Sequence, residues 1–127
     1  MADRDRHICQ ARRNVRLLST FSVTGTEYAD WGITVAFYTA LHLLEAYLAG
    51  RKVHLHDHST RNSAVAREAR LRAVGRHYMT LYWESRHARY NCRVFRPADL
   101  ARLLNSDYNP LQRHLCKLLG IADLAAP

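Results

Sequence analysis

The sequence predicts an all-α fold, an antiparallel up-and-down helical bundle of four to five main helices in a single domain over residues 1–127. Three observations lead there. Apolar residues recur at steps of three and four along the whole chain, and no segment alternates cleanly as a strand would. Residues 27–49 are apolar nearly all round, which marks the central helix of a bundle rather than a surface helix. A chain of 127 residues suffices for one core and is short for two.

The elements follow in order. A first helix is expected over residues 3–19, with Ile8, Val15 and Leu18 on its apolar stripe and Arg12, Arg13 and Arg16 towards solvent. Residues 21–26 break that pattern. The second helix, residues 27–49, stops at Gly50. After a loop over residues 51–59, Ser59 or Thr60 can cap a short third helix reaching Arg67. A fourth helix is expected over residues 69–91, with Leu71, Val74, Tyr78, Leu81, Ser85 and Ala88 as its buried face. Pro97 suits the first turn of a last helix that carries Leu100, Leu103 and Leu104 inwards. Asn109-Pro110 should break or kink it before residues 111–119.

The charge is uneven. Residues 51–96 hold eleven Arg and Lys against Asp57, Glu68 and Glu84, which accounts for the whole net charge of +8. Such a block attracts polyanions. Seventeen of the 19 basic residues are Arg, the side chain suited to bidentate phosphate contacts and aromatic stacking. Cys9, Cys92 and Cys116 lack zinc or redox spacing and read as reduced thiols of a cytoplasmic protein. No secretory signal opens the chain, and the most apolar run, residues 33–48, falls short of a membrane span.

Two patterns carry chemistry. On the second helix Thr34, Tyr38, His42 and Glu45 make one polar stripe, which either borders a groove or faces water. On the fourth, Tyr82, Arg86 and Tyr90 recur every four residues, with Arg89 and Arg93 on the next ridge. Bases stack on such rings while guanidinium groups hold phosphates, a combination suited to single-stranded nucleic acid. The run His54-Leu55-His56-Asp57-His58 has metal-ligand residue types, but no distant fourth ligand is evident. The reading preferred for it places His56 or His58 at the start of the third helix, lining a polar groove with Arg61, Asn62 and His42. No metal or cofactor is expected.

Tyr28-x-x-Trp31, then Ala36-Phe37-Tyr38-Thr39-Ala40-Leu41-His42, His58-Ser59-Thr60-Arg61-Asn62 and Ser85-Arg86-His87-Ala88-Arg89-Tyr90 together resemble the HEPN domains of prokaryotes. The match in order and spacing spans residues 8–119. The resemblance implies a bundle that is usually a homodimer, in a superfamily rich in toxin, defence and RNA-processing proteins. Active members cut RNA without a metal, using an Arg, a polar residue and a following His brought together from two subunits. Mapped here, Arg86 takes the Arg position, His87 the polar position, and Asn91, Cys92 or Arg93 the place where His is expected; Tyr90 stands near. The implied catalytic set is Arg86, His87 and Tyr90, with Tyr82, Arg89, Arg93, Arg61 and Asn62 on RNA, and Tyr38, His42, Glu45 and His58 lining the groove. The alternative is a non-catalytic dimeric module that binds a nucleotide or a protein, such as a nucleotidyltransferase-like partner.

Overall fold

The computed structural model describes residues 2–22 and 26–124. The helices are α1 (Arg4–Ser22), α2 (Ala29–Gly50), α3 (His58–Arg67), α4 (Gly75–Tyr90), α5 (Pro97–Leu103) and α6 (Asn109–Leu119). A 3₁₀ turn at Ala69–Leu71 precedes α4, and a π-helical turn at Leu104–Tyr108 joins α5 to α6. The architecture is the all-α bundle that the helical spacing predicts, and no strand occurs among the described residues.

The bundle is organised by α2, which packs against α1, α4, α5 and α6. By length and composition α2 is apolar enough to cross a membrane, because its apolar character extends over Ala29–Gly50 and not over residues 33–48 alone. Yet 78% of its most apolar window is buried by the surrounding helices. The buried threonines inside it are satisfied locally: Thr34 and Thr39 each donate to the carbonyl four residues earlier, at 2.9 Å. At Gly32 the helix passes so close to α5 that an added Cβ would lie 2.6 Å from Leu100 Cδ2.

The first helix buries Ile8, Ala11, Val15 and Leu18 on one stripe and exposes Arg12, Arg13 and Arg16. It outlasts the expected break by running through Phe21 to Ser22, and residues 23–25 of that break lie outside the described residues. Asp57, not Ser59 or Thr60, caps α3, because its extended backbone lets the carboxylate accept from Thr60 N at 2.8 Å.

The fourth helix begins at Gly75 rather than at residue 69. Glu68 is extended, and the chain makes a 3₁₀ turn before the helix opens. Leu71 and Val74 are nevertheless buried, as their spacing requires. The expected break at Asn109-Pro110 is instead a continuous helix. Proline cannot donate to the carbonyl four residues before it, and its ring crowds that carbonyl. The wider π turn immediately upstream absorbs both effects. Buried apolar residues of all the helices form one contiguous core.

Candidate functional site

Three helices converge on one compact cluster. From α2 come Phe37, Tyr38 and Glu45, from α3 His58 and Arg61, and from α4 Tyr82, Ser85, Arg86, Arg89 and Tyr90. The Asp57 cap places His58 in the first turn of α3, and Arg61 follows one turn later on the same face.

Glu45 is 5% exposed and accepts from Arg61 Nε, so the carboxylate that would otherwise be an isolated buried charge is neutralised across the α2–α3 contact. Arg61 Nη1 donates to His58 Nδ1 at 3.4 Å. Guanidinium only donates, so Nδ1 accepts and His58 carries its proton on Nε2. The His58 ring lies against Tyr82 and Phe37, with centroids 5.4 and 5.8 Å away. Burial, followed by the positive charges of Arg61, Arg89 and Arg86, holds its pKa below the ordinary 6.5.

Arg89 is fixed by four hydrogen bonds, the longest from Nη1 to the Tyr90 hydroxyl at 3.5 Å. Its Nη1 donates to the Tyr38 hydroxyl at 2.9 Å, and Nε and Nη2 donate to the Ser85 carbonyl and hydroxyl, each at 3.2 Å. Its guanidinium also lies over the Tyr90, Tyr38 and Phe37 rings. Arg86 sits between Tyr82 and Tyr90, 5.9 and 5.3 Å from their centroids. The ion pairs among the described residues leave Arg86 and Arg89 without a carboxylate. Beneath the cluster, the Tyr78 hydroxyl is buried with no hydrogen-bond partner, and burial raises its pKa.

Several expected members lie elsewhere. Arg93 is not on the Arg86–Arg89 face: α4 ends at Tyr90, Cys92 adopts φ 50°, and the redirected chain brings Arg93 to Glu84 at 3.5 Å and over Phe95. His87 points away from the cluster and accepts from Asn91 Nδ2 at 2.8 Å. The imidazole that joins the arginines is therefore His58. His42 does not line an open groove either. Its Nδ1 is 3.0 Å from His7 Nδ1 on α1, and burial, then His7 and Arg61, draw its pKa down to about 4. Asn62 lies just outside the cluster, in the neighbouring cleft between α3 and α4.

The sequence reading did not single out His7, Phe37 or Ser85 as site residues. His7 had a signal, since it stands four residues before the buried Ala11. His54 and His56 are exposed, and no group of three His, Cys, Asp or Glu side chains able to hold a metal forms among the described residues. His77 pairs with Asp107 at 2.9 Å.

The fold and the site together define an all-α bundle bearing a compact cationic cluster among aromatic rings, in which the buried Glu45 carboxylate is already paired with Arg61. Compared with family models, curated proteins and solved structures, the chain finds no match.

Proposed function

We propose that this chain is a HEPN-like RNA-binding protein that acts as a homodimer, with metal-independent RNA cleavage of the toxin or defence type as its further activity. The observation that carries the reading is the pair of guanidinium groups, Arg86 and Arg89, held among the Tyr82, Tyr38 and Tyr90 rings without a carboxylate partner. Arg61 and a neutral His58 stand beside them. Such a site offers charge to phosphates and flat faces to bases, and its residues need no metal for either task. In cleavage, Arg86 would neutralise the phosphorane, and the Nε2–H of His58 would donate a hydrogen bond to a phosphate oxygen.

One observation favours the second reading, a non-catalytic dimeric module that holds a nucleotide or a protein such as a nucleotidyltransferase-like partner. His87 is bonded to Asn91 and turned from Arg86, so one subunit supplies a single imidazole where acid and base catalysis would use two groups. A dimer with facing α4 helices would supply the second.

The test is incubation of labelled RNA with purified protein in EDTA, with Arg86→Ala alongside. Cleavage or salt-sensitive binding by wild type, weakened in the variant, is expected. Intact RNA in both samples leaves only binding, and equal, salt-insensitive binding in both removes the nucleic-acid reading.

A further inference from the structure

Beside the cationic cluster, α3 and α4 enclose an open cleft of about 530 Å³. Its α3 wall is Ser59, Asn62, Ser63 and Ala66, four residues at the spacing of a single helix face. Its α4 wall is Met79, Tyr82 and Trp83, and Arg86 continues that face one turn on. The α3 residues are all short, so they leave the slot unfilled and leave Trp83 53% exposed.

Three features make the slot fit a flat, polar-edged group. Trp83 and Met79 give it apolar, polarisable surface, while Ser59, Ser63 and Asn62 offer hydroxyl and amide groups. The Asn62 amide makes no hydrogen bond; its Oδ1 is buried and turned from the slot, which leaves the amide nitrogen as the group on offer. Tyr82 forms the partition: the Trp83 ring meets it edge-on at 5.2 Å, and the Arg86 guanidinium lies 5.9 Å from its centroid. A group in the slot and a phosphate at Arg86 would therefore lie on either side of one ring.

We infer that the α3–α4 cleft is a nucleobase subsite in which Trp83 stacks on an unpaired RNA base whose phosphate is held by Arg86 and Arg89. The inference rests on the RNA-binding reading and deepens it by naming single-stranded RNA as the ligand. Duplex RNA keeps its bases stacked and has none to offer the slot. Continuity with the cationic cluster favours a nucleotide as the occupant, since its phosphate complements the Arg86 and Arg89 charges that border the slot.

The chain has two tryptophans, Trp31 and Trp83, so Trp31→Phe leaves Trp83 as the sole indole reporter. The probes are a six-nucleotide oligoadenylate and the same ribose-phosphate backbone without bases. The oligoadenylate should quench Trp83 fluorescence saturably and the abasic strand should not, although both bind. Trp83→Ala should weaken the oligoadenylate about 10-fold and leave the abasic strand unchanged. Ala66→Leu, at an exposed position, should do the same by filling the slot while Trp83 stays in place. Binding of the oligoadenylate without quenching, and with full affinity in both variants, would overturn the base subsite while leaving RNA binding intact. Loss of self-association in Trp83→Ala at unchanged RNA affinity would assign the cleft to a second copy. Failure of both strands to bind would remove the RNA reading and the subsite together.

Discussion

Glu45 and Arg61 meet across the α2–α3 contact as an ion pair between a carboxylate side chain 6% exposed and a guanidinium side chain 14% exposed. Removing either partner leaves a charge stranded. Arg61→Ala should destabilise the fold by about 3–5 kcal/mol in urea denaturation. The double variant Glu45→Leu, Arg61→Leu should recover most of that loss, because two apolar side chains strand nothing. Equal loss in the single and double variants would mean that the pair contributes packing rather than charge compensation.

Arg86 and Arg93 should separate in RNA binding although the sequence places them on adjoining ridges. Arg93 is engaged by Glu84 and Phe95 on the far side of α4. Arg86→Ala is expected to weaken RNA binding about 10-fold and to reduce the salt slope by about one, and Arg93→Ala to change neither. Fluorescence anisotropy across a salt series reads both quantities. A larger effect at Arg93 would contradict the assignment of the face.

Stability should fall as the solution is acidified from about pH 6.5 towards pH 4. His42 is drawn from 6.5 to about 4 by burial, then by His7 and Arg61. The unfolded chain therefore takes up the proton first, so the stability present above the unfolded pKa is lost as pH falls through this window. Allowing for solvent that reaches the ring, the loss is about 1–2 kcal/mol. His7 is lowered in the same direction, chiefly by burial. His42→Gln should flatten the pH dependence of the melting temperature between pH 6.5 and 4.5; an unchanged profile would place the titration elsewhere.

Gly32 should not tolerate alanine. The new Cβ would meet Leu100 Cδ2 at 2.6 Å and Phe21 Cβ at 3.3 Å, and Leu100 is itself buried. A loss of about 1–3 kcal/mol is expected in urea melts. Combined with Leu100→Val, the effect should be less than the sum of the two changes, since the smaller side chain makes room. Full additivity would show that the two positions do not press on each other.

The helices were legible in the sequence where burial and helical period agree. Ile8, Val15 and Leu18 locate α1, and the nearly unbroken apolar surface of α2 marks it as central. They agree less well at residues 69–74, where Leu71 and Val74 are buried from a turn rather than from a helix, so spacing predicts their depth but not their backbone. The aromatic and arginine pattern of α4 locates Tyr82, Arg86, Arg89 and Tyr90. It fails for Arg93 because periodicity does not reveal where a helix ends, and a left-handed residue at Cys92 turns the chain away. The sequence names His58 beside Arg61 but not beside Arg86 and Arg89, because His58 and Arg86 are brought together by the packing of α3 on α4, which leaves no trace in local spacing.

The arginine cluster also bears on how the protein can be handled. Arg86 and Arg89 make no ion pair with a carboxylate among the described residues, so their mutual repulsion is a strain that the native state carries and the unfolded chain relaxes. An anion seated there relieves the strain only in the native state and acts as a stabiliser of the fold. Melting temperature thus becomes an assay for occupancy: each phosphate-bearing compound can be ranked by how far it raises the transition, before any activity is known.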